Sequence, residues 1–379
     1  MAVLAIPVTI AVALILVPLL VKTLDRKAGW PLGLTFLALA GYVIKHADPI
    51  LNGKTATWSV TWIQGILTGA GGGAGAASAG GTADAAASTG LELALKMDAL
   101  GLFFTLLALL IGAVVFIYSA AYLHKGDKIM SFYVLMTSFM LAVLLLVLAD
   151  DVALLFIGWE LVSLASFFLI ARSGSGGEAG AIRTLLLTFV GGLFLLAALA
   201  ISVITTGTTN LTAMLHSPAW EGQDVRLAIV AVLIALAAFS KAAQIPFHFW
   251  LPEAMAADTP VSAFLHAAAV VKAGVYLLLR FSGLFEGVMA WHTLLIAIGM
   301  TTAIMGAVFA MQKTDLKKLT AYSTVSQLGW IVATIGVGTP LAISAALVHT
   351  AAHALFKSSL FMIAGVAVSY THLTLPTSD

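Results

Sequence analysis

No cysteine occurs anywhere in the 379 residues. That excludes a disulfide frame, a thiolate metal site and a thiol nucleophile. Charge is almost as scarce: 18 Lys and Arg stand against 17 Asp and Glu, leaving +1, and charged residues make up only 9% of the chain. So few polar side chains cannot cover a water-facing surface, and with 61% hydrophobic residues the chain reads as an integral membrane protein. The basic residues are scattered through short loops instead of forming a patch, which argues against a nucleic-acid partner. The opening MAVLAIPVTIAVALILVPLLVK also lacks the basic stretch that precedes the apolar run of a cleaved signal. Its charges follow that run, as expected of a retained first helix.

What the sequence has in abundance is apolar runs of the length needed to cross ~30 Å of hydrocarbon. About eleven are present, at 2–21, 30–44, 99–123, 131–148, 152–170, 182–204, 225–244, 261–281, 290–311, 321–337 and 341–368. In lipid each must satisfy its own backbone, and runs this long fit helices better than barrel strands. The expected fold is an all-α polytopic bundle. If the turn holding Lys22, Arg26 and Lys27 is cytoplasmic, the same side receives Lys125, Lys128, Arg172, Arg183, Lys313, Lys317 and Lys318, ten basic residues against five on the other side. That bias puts the N-terminus outside.

The chain divides at its loops. Residues 1–45 hold two transmembrane helices, and 46–98 form an external loop containing GAGGGAGAASAGGTADAAAS. The glycines there have no following Lys-Ser/Thr and no strand-to-helix context, so a flexible insertion fits better than a phosphate cradle. Residues 99–281 form the transmembrane core and 282–368 continue it. From 369 the polar SYTHLTLPTSD reads as a non-helical, truncated or non-native tail, and His372 carries no functional weight.

A charge at the centre of a membrane helix costs ~3 kcal/mol on insertion scales, so each one needs a reason. Glu160, in FIGWELVSLASFF, is either a neutral buried acid or the partner of a buried cation, and Lys241 is available. Lys241 precedes QIPFHFWLP, where Pro246 opens the helix; snorkelling to the interface is the alternative. Desolvation weakens a lysine's hold on its proton and a nearby carboxylate strengthens it, so displacing Glu160 relative to Lys241 changes proton affinity. Lys272 sits mid-run in HAAAVVKAGVYLLLR. His266, six residues earlier, lies ~9 Å along an ideal helix and ~120° around it, so transfer between them needs water or a third side chain. Taken alone, His266 reads as a core histidine; beside two buried lysines, a relay explains it equally well. His349, His353 and Lys357 repeat at i, i+4 and i+8 on one helix face. His-x-x-x-His suits a metal, but a lysine on the same stripe repels cations, which favours a proton wire. Asp150 and Asp151 fall at a membrane edge and read as solvated, while Trp250, Trp291 and Trp330 read as anchors or packing.

These motifs carry a resemblance. FSKAAQIPFHFWLPEAMAADTPVSAFLHAAAVVKAGVYLLLR, preceded by WELVSLASFFLI and followed by DLKKLTAYSTVSQLGW and HTAAHALFKSSLFM, is similar to the antiporter-like membrane subunits shared by respiratory complex I and the Mrp-type multisubunit Na⁺/H⁺ antiporters. Within that superfamily it most resembles the long, A-type Mrp subunits, and Lys272 discriminates, since the corresponding complex I subunit usually has an uncharged residue there. The resemblance implies two inverted five-helix repeats with a broken helix near Lys241–Pro246, the second repeat only partly present. It implies a Glu160–Lys241 ion pair and a hydrophilic axis through Lys272, His266, His349, His353 and Lys357. It further implies a non-enzymatic transporter subunit without cofactor or metal. Such a subunit exchanges Na⁺ for H⁺ in the plasma membrane of a prokaryote, in hetero-oligomeric company with other subunits. The rival expectation is a proton-pumping subunit of a complex I-type NADH–quinone oxidoreductase.

Overall fold

The computed structural model describes residues 3–63, 91–124 and 128–374. Its first elements are α1 (Ala5–Leu24), α2 (Gly29–Lys45), the single turn α3 (Asp48–Leu51) and strands β1 (Ala56–Ile63) and β2 (Leu91–Met97). Then come α4 (Ala99–Tyr122), α5 (Ile129–Leu148), α6 (Val152–Ala171), α7 (Glu178–Thr206), the short α8 (Leu211–Leu215), α9 (Asp224–Lys241) and the short α10 (Trp250–Glu253). The last are α11 (Thr259–Ala267), α12 (Val270–Phe281), α13 (Met289–Met311), α14 (Leu316–Val337) and α15 (Pro340–Thr374). The apolar runs read from the sequence fall on helices, except that 225–244 overruns the end of α9 and 261–281 is divided between α11 and α12. Among the described residues, 8 helical segments are long and apolar enough to cross a membrane. α1 and α2 form one of these, joined by a 3₁₀ turn, and α11 and α12 form another. α9, with Asp224, Arg226 and Lys241 in 18 residues, falls outside that set, as does the polar-studded α14.

Helix ends follow local chemistry. Side-chain oxygens of Asp98, Asp151 and Asp315 accept the free amides that open α4, α6 and α14. Glycines in the left-handed region, Gly207 (φ 70) and Gly338 (φ 75), close α7 and α14. α15 runs on to Thr374, through residues read from the sequence as non-helical.

An all-α expectation needs correcting. β1 and β2 pair antiparallel, with Ala56 opposite Met97 and Thr61 opposite Glu92. The cause is in the residues: ATWSVTWI and LELALKM both alternate apolar and polar with period two, which suits a half-covered strand. The hairpin is sewn to the corner between α5 and α6, where Leu95 bridges Ala149 and the Asp150 amide donates to the Ala94 carbonyl at 2.9 Å. The Gly/Ala-rich piece of this loop lies outside the described residues, as does Lys125 of the basic rim.

The same corner overturns the reading of Asp150 and Asp151 as solvated. They are 8% and 1% exposed. Asp150 accepts the Thr212 hydroxyl and amide and the Asn210 side-chain amide, and Asp151 caps α6. Close by, Arg280 at the end of α12 forms an ion pair with Asp98 and also donates to the Tyr276 hydroxyl at 3.1 Å. The hairpin, α4, α6 and α12 are therefore latched together on one rim. On the opposite rim Arg172 joins α6 to Asp258, just ahead of α11, and reaches the Ser131 hydroxyl and Lys128 carbonyl of α5's first turn.

Between the rims, the α11–α12 segment is buried on all sides. α4, α9, α14 and α15 pack around it. Gly274 permits the contact with α9, because a Cβ there would stand 2.6 Å from the Ala238 carbonyl oxygen and 2.7 Å from the Ala242 nitrogen.

Candidate functional site: a buried row of lysines and histidines

Two interruptions of the backbone define the site. α9 ends at Lys241, and the chain then runs non-helically through Ala243 (φ 49) and Pro246 before α10. Its freed polar groups find partners. The Trp250 indole donates to the Ser240 carbonyl at 2.8 Å, and the Ile245 amide donates to the Thr302 hydroxyl at 3.1 Å. That satisfaction lets non-helical backbone persist at depth.

The second interruption lies between His266 and Lys272. α11 stops at Ala267, α12 starts at Val270, and the amides of Ala268 and Ala269 both donate to the Phe264 carbonyl, at 3.0 and 3.1 Å. The bond from Ala269 spans five residues instead of four, a widened turn of the kind found at functional sites. His266 and Lys272 thus belong to separate helical pieces, and the ideal-helix relation between them does not apply.

Lys241 is completely buried, and its ammonium is held by α6. It donates to the Trp159 carbonyl at 2.9 Å and to the Ser163 hydroxyl at 2.7 Å, and lies 4.7 Å from the centre of the Trp159 ring. Glu160 is not brought into an ion pair with it: no carboxylate stands within 4.0 Å of its ammonium among the described residues. The Glu160 carboxyl instead lies against α7 at Gly192, where a Cβ would come within 1.9 Å of Oε1, and that oxygen is buried without a hydrogen-bond partner. The two groups remain close enough to interact electrostatically.

Lys272 meets a partner that its own helix could not supply. Its ammonium lies 2.8 Å from Nδ1 of His353 on α15. An ammonium can only donate, so Nδ1 accepts and the neutral ring carries its proton on Nε2. His353 Nε2 is itself buried with no hydrogen-bond partner, as are both ring nitrogens of His266, whose ring lies 4.6 Å from that of Phe361 on α15. One helical turn either side of His353, the stripe continues onto α14. His349 Nε2 donates to Gln327 Oε1 at 2.7 Å, and Lys357 donates to the Ser323 hydroxyl at 2.7 Å and the Thr320 carbonyl at 3.2 Å.

The structure therefore joins Lys272 to His353, sets His266 against the same helix, and places Lys241 and Glu160 in separate neighbouring contacts. Among the described residues no three His, Asp or Glu side chains gather as a metal site, and both His349 and His353 have organic partners. Sequence reasoning missed Ser163, Gln327, Ser323 and Thr320. Their signal was there, as small polar residues spaced three or four apart in WELVSLAS and LTAYSTVSQ. It also passed over His248, in the break after Lys241, which is 4% exposed with neither ring nitrogen hydrogen-bonded. Chemically, the arrangement is a row of proton-binding groups with one direct contact among them, Lys272 to His353, two helix breaks and, among the described residues, no carboxylate within 4.0 Å of the lysine ammoniums.

Residues 149–375 match the model of the family described as "NADH:quinone oxidoreductase/Mrp antiporter, TM", and residues 85–133 match "NADH-Ubiquinone oxidoreductase (complex I), chain 5 N-terminus". A Staphylococcus haemolyticus protein named as antiporter subunit mnhA2 is 33% identical over 93% of this chain and 43% of its own length. A Rhizobium meliloti protein named as part of a K(+)/H(+) antiporter is 43% identical over 73% of this chain and 28% of its own. In a solved structure of the Mrp complex from Dietzia sp. DQ12-45-1b, one chain superposes with a TM-score of 0.86 at 50% identity, over 96% of this chain and 38% of that one. The chain thus spans less than half the length of these relatives.

Proposed function

The chain belongs to the NADH:quinone oxidoreductase/Mrp antiporter transmembrane family, and from that premise we propose that it serves as the long, A-type component of a monovalent cation/proton antiporter. The single observation that carries this reading is the buried lysine row: Lys241, the last residue of α9, held by acceptors of α6, and Lys272 against His353, with no carboxylate paired to either. Protons bind and leave such groups reversibly when a neighbouring charge moves. Glu160, poised at Gly192 beside the Lys241 contact, is that neighbour, and Lys272, His353, His266, Lys357 and His349 conduct onward through internal water. Na⁺ is the exchanged cation on this reading; the K(+)/H(+) designation of the Rhizobium relative makes K⁺ the competing ion.

The fuller architecture belongs to the same proposal. All eleven apolar helical runs cross the bilayer, with the N-terminus outside and the ten-residue basic rim in the cytoplasm. They form one inverted five-helix repeat and part of a second. The protein works in the plasma membrane of a prokaryote, assembled with other antiporter subunits. Lys272 favours this over a redox-driven pump of the complex I type.

The test replaces Lys241 or Glu160 by alanine in the full-length protein within its assembled complex and follows sodium-dependent pH changes in inverted vesicles. Either substitution is expected to abolish exchange. Unaltered exchange in both sinks the assignment.

A further inference from the structure

A cleft of about 560 Å³ opens on the basic rim, apart from the lysine–histidine row. The start of α7, the α10 region and the turn between α13 and α14 enclose it. Six charged side chains face it: Arg183, Lys313, Lys317, Lys318, Glu253 and Asp315. Both carboxylates are committed. Glu253 forms an ion pair with Arg183, and Asp315 accepts the Lys318 amide at 2.9 Å as the cap of α14. The three lysines are not paired in this way. Lys313 lies over the Tyr322 ring at 5.2 Å, Lys317 donates to the Ala257 carbonyl at 3.5 Å with Asp258 and Asp315 near enough to act on its charge, and among the described residues none of the three has a carboxylate within 4.0 Å. The first turn of α7, whose Ala179 and Gly180 also line the cleft, has no side-chain cap on its free amides. The cleft therefore holds an excess of positive charge and unused donors, the setting in which phosphate oxygens bind.

Its surroundings say what carries the phosphate. On the same two helices, close in sequence to the cleft residues, α7 exposes Ile182 (53%) and Leu186 (57%), and the end of α13 exposes Val308 (40%) and Met311 (80%). A free phosphate makes no use of these flanks. An acyl-chain lipid covers both, and a zwitterionic headgroup would bring its own ammonium against three lysines. We infer that this cleft binds the phosphodiester headgroup of an anionic membrane lipid, with its acyl chains lying along α7 and α13. The lipid then ties α7, α10 and the α13–α14 turn together at one level of the membrane.

The full-length protein in its assembled complex, placed in phosphatidylcholine nanodiscs with and without phosphatidylglycerol, provides the test. Lipid retention is read by native mass spectrometry and thermal midpoint by intrinsic fluorescence. Wild type is expected to retain phosphatidylglycerol and to melt higher in its presence. Lys313→Gln with Lys318→Gln should weaken that retention about 10- to 30-fold, while Lys313→Arg with Lys318→Arg preserves it and controls for folding. Undiminished retention in the glutamine variant overturns the proposal. So does loss in the arginine variant, or an equal rise in midpoint when inorganic phosphate is added to phosphatidylcholine discs.

Discussion

Removing one hydroxyl, in Ser163→Ala, tests the Lys241 environment most directly. The ammonium has two hydrogen-bond acceptors, the Ser163 hydroxyl at 2.7 Å and the Trp159 carbonyl at 2.9 Å, and no water-facing surface. A hydrogen bond to a charged group contributes ~1.5–3 kcal/mol. The Trp159 carbonyl and ring stay in place, so the lower part of that range applies, about 1.5–2 kcal/mol, or roughly a 10- to 30-fold change in the population of the bound ammonium. The assay is sodium-driven proton movement in inverted vesicles, with a pH-sensitive dye and immunoblots to equalise the amount of complex. Ser163→Ala is expected to lower the initial rate about 10- to 30-fold if that population limits transfer. Ser163→Thr keeps the hydroxyl and should remain near wild type. Wild-type rates in Ser163→Ala, in vesicles where Lys241→Ala is inactive, refute the claim that α6 holds the ammonium through this side chain.

Three further outcomes follow from the same contacts. His353→Leu removes the acceptor from Lys272 and should cost ~1.5–3 kcal/mol of stability, whereas His353→Gln retains an acceptor and should recover most of it; thermal unfolding in detergent distinguishes them. Gly274→Ala sets a Cβ 2.6 Å from the Ala238 carbonyl, a backbone atom that no rotamer change can move, so α12 must withdraw from α9 at ~1–3 kcal/mol. Gly283→Ala, with nothing within 4 Å, should leave the midpoint unchanged in the same experiment. The Asp98–Arg280 latch should fail in acid. Burial alone raises the Asp98 carboxyl's pKa, but the hydrogen bond and charge of Arg280, the Gly101 amide and Lys96 outweigh it and hold it below the ordinary value. A lowered folded pKa gives stability that is present above the unfolded value, about 4, and is lost as pH falls through the folded value. Midpoints measured against pH should therefore drop below about pH 4 in wild type and flatten in Asp98→Asn.

The helices were legible because a bilayer leaves the chain few options: a long apolar run must satisfy its backbone within itself. The buried charges were legible for the same reason, since Lys241 and Lys272 are costly in lipid, whereas His266 alone read as a core histidine. The break beside Pro246 was readable from proline chemistry. The break at Ala268–Ala269 was not, because it falls in the run HAAAV, where alanine gives the strongest helix preference of any residue. Tertiary packing imposes it. The hairpin was present as an alternating pattern in LELALKM but was submerged in a loop assigned by composition. Asp150 and Asp151 were misjudged because sequence position placed them at an edge, while the hairpin and α8 that cover them are distant in sequence.

For Glu160 and Lys241, the presence of an acid and a base in the membrane does not fix which side chain of α6 faces the lysine. Consecutive residues on a helix point about 100° apart, while residues four apart share a face. Trp159 and Ser163 therefore turn together toward Lys241, and Glu160 points away, to Gly192. For Glu160 to take the ammonium, Lys241 must leave Ser163 or α6 must turn about its axis. The neutral hydroxyl and the carboxylate are then competing acceptors for one ammonium. The acceptor in place in this structure is the one without charge, so the transition adds a full counter-charge in a region of low dielectric. On the proposed function, a change of that size suits a proton switch, with the Ser163 hydroxyl as the acceptor in its other state. Opposite perturbations follow: removing the hydroxyl shifts Lys241 toward Glu160, whereas removing the carboxylate leaves it fixed on Ser163.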